Sequence, residues 1–153
     1  MVSAYNSNKK VKKGENMSID IETVNEIMTL AGSGYLATTD GERPSVRPMG
    51  CPQWVGGELW LAANTNSEKI ADIHKRNQVE FCIADRSWRY VRIAGTCTLS
   101  EDVNDRKVFW DRVPAIKEYF KGVHDPHFGI LRIKVKIIRL MSEKGETIVD
   151  VPK

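Results

Sequence analysis

The stretch FGILRIKVKIIRLM, Phe128 to Met141, decides the fold class. Leu131, Ile133, Val135 and Ile137 alternate with Arg132, Lys134 and Lys136. A period of two with one apolar and one charged face is the mark of an antiparallel strand that covers a core and faces water on its other side. A parallel sheet buried on both faces would read as an unbroken apolar run instead.

The same period recurs upstream. GYLATTDGERPSVRPM, Gly34 to Met49, reads as a strand, a turn at Asp40-Gly41 and a second strand. QWVGGELWLAA, Gln53 to Ala63, reads as a hairpin turning at Gly56-Gly57. QVEFCIA puts Val79, Phe81 and Ile83 on one face, and WRYVRIAGTCTLS does the same with Val91, Ile93, Cys97 and Leu99. Helical spacing is confined to three places. SIDIETVNEIMTLAG carries Val24, Ile27, Met28 and Ala31 on one stripe and stops at Gly32. NTNSEKIADIHKRN carries Ile70 and Ile73, and DVNDRKVFWDRVPAIKEYFKG is helical but broken by Pro114 and ended near Gly122. Six or seven antiparallel strands with helices outside them predict a small barrel or sandwich. Four tryptophans, Trp54, Trp60, Trp88 and Trp110, are expected in the core.

The 153 residues suggest a single domain, large enough to bury a core without staples. Lys9, Lys10, Lys12 and Lys13, set against Glu15, account for the whole net charge of +3. Residues 1–16 therefore read as a basic, aperiodic, disordered tail, and residues 17–153 as the folded domain. A formally neutral domain argues against a nucleic-acid partner. No apolar run approaches a membrane span and no secretory signal opens the chain, so a cytoplasmic location is expected. Cys51, Cys82 and Cys97 are odd in number and widely spaced, which suits reduced thiols in that compartment.

Three segments carry candidate chemistry. In TNSEK, Thr65 and Glu68 have capping-box spacing, and Ser67 is placed to cap equally well. Lys69 fits neither role, because a cation in the first turn opposes the helix dipole by a few tenths of a kcal/mol. A bound anion would reverse that sign, so the segment is either a plain helix cap or a phosphate seat. In SVRPMGCPQW, Pro48 and Pro52 interrupt a strand beside Arg47. This is either an edge strand protected by prolines or a backbone left free for a flat heteroaromatic ring. In WRYVRIAG, Tyr90 and Arg92 share a face that reads as solvated. HDPH offers His124, Asp125 and His127, but Pro126 bars a regular helix and no cysteine pair completes a zinc site, so no metal is expected.

In this order, the N-terminal helix, GYLATTDGERPSVRPMG, the Gly-Gly hairpin, NTNSEKIADIHKRNQVEFCI and YVRIAGTCTL resemble the pyridoxamine 5′-phosphate oxidase-like family of FMN-binding split β-barrels, in particular its short, general-stress-protein-like members. The resemblance covers residues 20 to 141. It implies a six- to seven-stranded antiparallel split barrel that binds FMN and serves as an oxidoreductase exchanging electrons with a small molecule. It also implies a homodimer with the cofactor at the interface. By the same resemblance, Arg47, Pro48 and Met49 would contact the flavin ring and ribityl chain, with Arg47 stabilising the reduced, anionic ring. Ala62 and Ala63 would pass under the ring, and Ser67, Lys69 and Thr65 would hold the phosphate. Tyr90 stands where relatives place a polar flavin contact, often glutamine, and Trp110 is the candidate contact from the second subunit.

True pyridoxamine-phosphate oxidases continue into a basic substrate-binding segment, whereas this chain closes on ETIVDVPK, so that particular oxidase activity is not expected. The rival functions are a non-catalytic FMN-binding or electron-transfer protein, and the same fold holding deazaflavin or haem.

Overall fold

The computed structural model describes residues 12–13 and 17–153. Among these residues the chain forms nine strands, three α-helices and one 3₁₀ segment. The order is β1 (Lys12–Lys13), α1 (Met17–Ala31), β2 (Ser33–Thr39), β3 (Pro44–Gly50), β4 (Gln53–Val55) and β5 (Glu58–Asn64). Then follow α2 (Glu68–Lys75), β6 (Gln78–Ala84), β7 (Tyr90–Ser100), α3 (Val103–Arg112), the 3₁₀ segment Pro114–Glu118, β8 (Phe128–Ser142) and β9 (Gly145–Val149). All pairings are antiparallel except β1 with β9.

The long strand β8 organises the sheet. One of its edges pairs with β7 from Ile130 to Met141. Its other edge pairs first with β5, over Phe128 to Lys134, and later with β9, over Ile138 to Ser142. From β7 the sheet continues through β6 and β2 to β3, and from β5 it continues to β4. Among the described residues β3 pairs only with β2, and β4 only with β5. The barrel is therefore not closed, and its split lies between β3 and the β4–β5 hairpin. The strand count exceeds the six or seven expected, because GETIV forms β9 and Lys12–Lys13 adds β1. Those two lysines depart from the disordered tail expected of residues 1–16; the rest of that tail lies outside the described residues.

Local chemistry accounts for the corners. Gly32 sits just past α1 with φ 71°, and its N–H donates to the Met28 carbonyl at 3.0 Å, an ending that glycine permits. Gly56 and Gly57, at φ 55° and 80°, supply the two positive dihedrals of a tight hairpin turn. In the β2–β3 turn the Asp40 carboxylate accepts from the N–H groups of Glu42 and Arg43, both at 2.8 Å, which holds its carboxyl below the usual range.

The alternation in β8 changes phase midway. Ala94 pairs with Ile137 but Gly95 pairs with Val135, so Lys136 is the extra residue of a β-bulge. Leu131 and Ile133 are buried before it. After it Ile138 and Leu140 are buried while Ile137 turns partly outward, contrary to the unbroken alternation expected. At the bulge the strands come so close that a Cβ on Gly95 would meet the Lys134 carbonyl oxygen at 2.2 Å.

Two apolar clusters result. The barrel core joins Val24, Ile27 and Met28 of α1 and Ile70 and Ile73 of α2 to inward residues of the strands. A second cluster packs Phe109, Val113 and Ile116 against Trp60, Phe128 and Ile130, which fixes α3 and the 3₁₀ segment outside β5 and β8. Of the four tryptophans, Trp60 is buried, Trp54 and Trp110 are half-buried, and Trp88 departs from expectation at 83% exposure. Trp88 occupies the β6–β7 turn with φ 62°, so its side chain projects from a reversal of the chain instead of a sheet face.

Candidate functional site

The split in the barrel is a cleft of about 430 Å³. One wall is the end of β3, with Pro48 and Met49, continuing into Cys51. The opposite wall is the end of β5, with Ala62, Ala63 and Asn64. Lys69 of α2 stands at one end, and residues of α3 and the 3₁₀ segment close the far side. The volume lies in the range of small-molecule sites, and the lining is apolar apart from a few polar groups, as such sites are. The strand order explains the opening: among the described residues nothing pairs with the outer edge of β3, and Pro48 has no N–H to offer a neighbouring strand.

Lys69 is half-buried, and its ammonium donates to the Ser67 hydroxyl at 2.9 Å. Among the described residues it has no carboxylate partner. Burial first, and the nearby Arg47 guanidinium second, hold its pKa below the ordinary lysine value. The helix start behind it is only partly satisfied. Ser67 is the N-cap, but its hydroxyl donates back to the Asn64 carbonyl at 2.6 Å and caps nothing. The Ile70 N–H donates to the Ser67 carbonyl at 3.1 Å, while the Glu68 and Lys69 N–H groups have no acceptor among the described residues. The expected capping box does not form. Thr65 is instead tied to the HDPH loop, its N–H donating to the His127 carbonyl and its hydroxyl to the Pro126 carbonyl, both at 3.0 Å.

Arg47 turns away from the cleft. Its Nη1 donates to the Thr38 hydroxyl at 2.6 Å, that hydroxyl donates to the Asp72 carboxylate at 2.7 Å, and Arg47 Nη2 lies 3.7 Å from the same carboxylate. Thr38 and Asp72 are buried, so this network stitches β2 and β3 to α2 one turn beyond Lys69.

Of the residues the sequence singled out, Pro48, Met49, Ala62, Ala63 and Lys69 line the cleft together. Ser67 joins through Lys69, Arg47 lies behind the wall, and Thr65 is engaged by the neighbouring loop. Tyr90 is not brought to the cleft. It pairs with Met141, whereas Ala62 pairs with Ile130, eleven residues back along β8. At ~3.3 Å per residue that is roughly 35 Å of strand path. Trp110 is also elsewhere in the chain: it packs beside Phe128 at 6.1 Å between ring centroids and lines a separate cleft with His124 and His127. The HDPH loop is a turn held by Asp125, whose carboxylate accepts from the N–H groups of Lys121 and His127 at 2.9 Å each. Among the described residues no three His, Cys, Asp or Glu side chains gather as a metal cluster.

The residues missed are those of the cover: Phe109, Val113, Ile116, Tyr119 and Phe120. Their apolar spacing on either side of Pro114 was the available signal, but it reads equally as core packing.

The fold and cleft define a split β-barrel whose unclosed edge forms a largely apolar cleft with a cationic end. The family profile described as "Pyridoxamine 5′-phosphate oxidase like" matches residues 20–149, and the chain belongs to that family. Among solved structures it is similar to a NimC/NimA family protein from Clostridium acetobutylicum, at 22% identity over 87% of this chain and 93% of that one, with a TM-score of 0.76. It is also similar to a pyridoxamine 5′-phosphate oxidase-related, FMN-binding protein from Nostoc punctiforme, at 16% identity over 88% of each chain and a TM-score of 0.66. A haem-binding protein from Mycobacterium smegmatis matches at 18% identity over 92% of this chain and 59% of that one, with a TM-score of 0.69. At these identities the likenesses show the fold. No curated protein matches the chain by sequence. No helix among the described residues is long and apolar enough to cross a membrane.

Proposed function

We propose that the chain is an FMN-binding flavoprotein that works as an oxidoreductase with a small-molecule electron donor or acceptor. The observation that carries this reading is Lys69: a half-buried ammonium without a carboxylate partner among the described residues, at the start of α2, facing the end of a cleft sized for a flat ligand. Burial of an unpaired cation costs free energy, and a phosphate at that point would supply the missing partner. The N–H groups of Glu68 and Lys69 and the Ser67 hydroxyl would add donors to the same anion. Pro48, Met49, Ala62 and Ala63 would flank the ring. The unpaired outer edge of β3 would offer backbone polar groups to its heteroatoms.

Bound there, FMN would supply hydride and single-electron transfer. The chain's own part is placement. Arg47 holds β3 against α2 through Thr38 and Asp72, and so sets the distance between the ring wall and Lys69. The cleft lining contains no carboxylate and no histidine. Its titratable side chains are Cys51, Lys69 and Tyr119; a non-catalytic electron carrier is the second reading. The relative that binds FMN supports this cofactor, and the haem-binding relative supplies the competing one. In this reading the protein is a cytoplasmic homodimer with the cofactor at its interface, Trp110 being the residue the second subunit would contribute. Its three cysteines are free thiols.

The visible spectrum of the purified protein, followed by titration with FMN, is the test. A flavin doublet and saturable FMN binding are expected. A haem band, or a colourless protein that ignores FMN, overturns the reading. Turnover of a reduced nicotinamide by the loaded protein separates the enzyme from the carrier.

A further inference from the structure

A second cleft, of about 570 Å³, adjoins the first. It lies between the end of α1, the β3–β4 connection with β4, and the junction of α3 with the 3₁₀ segment. The two clefts share Cys51, Val113 and Ala115, so they abut along these residues.

Cys51 lines both clefts. It has φ 51°, a left-handed backbone that a residue with a side chain adopts at a cost. The surroundings hold it there. Its N–H donates to the Gly32 carbonyl at 2.9 Å, and the Gln53 side-chain amide donates to the carbonyl of Pro52 at 3.0 Å. This kink swings the chain out of β3 and opens the space between β3 and β4.

The lining has a definite chemistry. Met28, Pro52, Trp54 and Pro114 supply apolar surface, while Asn25, Thr29 and Gln53 are polar and neutral. Arg112 is the one charged side chain of the lining. Its Nη1 donates to the Trp54 carbonyl at 2.8 Å, which fixes the guanidinium over β4. Among the described residues it makes no ion pair. A planar fork of donors with one arm anchored and the rest free matches a carboxylate, and an indole beside it offers a flat apolar wall.

We infer that this cleft binds an organic carboxylate with an apolar body, its carboxylate on Arg112 and its body directed past Cys51 toward the cofactor cleft. The inference rests on the proposed function for the identity of the neighbouring ligand, and gives that site its small-molecule partner.

Benzoate is the probe. It is titrated calorimetrically into the chain without added cofactor, and then into the FMN-loaded protein while the flavin absorption is followed. Saturable binding is expected, weakened tenfold or more by Arg112→Gln, partly restored by Arg112→Lys, and unchanged by Lys117→Gln, a cation outside the lining. In the loaded protein benzoate should perturb the flavin bands. Melting curves identify a variant that has lost its fold, and the two Arg112 variants give independent readings. If benzoate does not bind, or binds equally to Arg112→Gln, or depends instead on Lys69, the inference is overturned. Arg112-dependent binding that leaves the flavin bands unmoved also overturns it, because the clefts are then not in communication. If the protein ignores FMN yet binds benzoate through Arg112, the cofactor reading fails and the carboxylate site stands.

Discussion

Arg47 and Asp72 face each other across the seam between β3 and α2, Nη2 to Oδ2 at 3.7 Å, with the Thr38 hydroxyl bonded to both. The arginine that the sequence offers as a ring contact is thus occupied with holding a helix. Its side chain is 19% exposed and that of Asp72 10%. Removing one member of such a pair leaves the other partly buried and uncompensated.

Asp72→Ala should therefore destabilise the fold by about 2–4 kcal/mol, below the top of the range for fully buried pairs because Arg47 keeps some access to water. Thr38→Val should cost less, about 1–2 kcal/mol, since Arg47 and Asp72 can still approach each other. Urea denaturation of the two variants measures both. Equal and negligible losses would mean that the network contributes nothing.

Lys69 makes a prediction with a sign in pH. Its folded pKa is lowered, by burial and then by Arg47, so the unfolded chain binds the proton more tightly. The protonated lysine is then a destabilising group. That penalty is fully present below the folded pKa and disappears as pH rises toward the unfolded value of 10.5. Lys69→Met should be more stable than the wild type at neutral pH, and the difference should shrink at alkaline pH. FMN affinity should move the other way. Lys69→Ala should weaken it by about 1–3 kcal/mol, and wild-type affinity should fall as pH rises through the lysine's pKa. A variant that binds FMN as well as the wild type removes the phosphate role.

Much of the fold was legible because its signals are local. The period of two in Leu131 to Val135, the paired glycines at Gly56-Gly57 and the stop at Gly32 each follow from neighbouring residues. The phase change at Ile137 and Ile138 was not legible, because the bulge depends on Gly95, a residue on another strand. The site divides in the same way. Lys69 stood out because its charge conflicts with its own helix. Pro48 declared an unpaired edge. The direction of Arg47 depends on a partner twenty-five positions away, Asp72, and the place of Tyr90 depends on the register of β7 with β8. Val113, Ile116 and Phe120 carry the apolar pattern of core residues. Only the strand order turns them into the wall of a cleft.

The bulge is testable at Gly95. A methyl group there would stand 2.2 Å from the Lys134 carbonyl oxygen and 2.9 Å from its carbon, both backbone atoms that cannot rotate aside. Gly95→Ala should cost about 3 kcal/mol or more, in the class of exceptional single-site losses. Gly50→Ala is the control, since nothing lies within 4 Å of a Cβ there. Thermal melts that fall together for both variants would show that Gly95 is not a special close approach.

The cysteines should differ sharply in reactivity. Cys97 is 1% exposed on the inner face of β7, and burial pushes its thiol up to about 12. Burial also raises Cys82, on β6 between Arg92 and Glu80, with the Arg92 charge opposing and the Glu80 charge adding to that shift. The thiolate is the attacking species, so a buried thiol held protonated is slow twice over, by access and by charge. Thiol labelling of the folded protein at neutral pH should leave Cys97 unmodified while Cys51, half-buried in the lining of both clefts, reacts first. Urea should release the Cys97 signal at the same denaturant concentration at which the sheet unfolds. FMN loading should slow Cys51 without touching Cys82 if the cofactor occupies the cleft between β3 and β5. Labelling of Cys97 in the native protein at a rate near that of Cys51 would mean that β7 opens locally, and would contradict a core packed tightly across the β7–β8 pair.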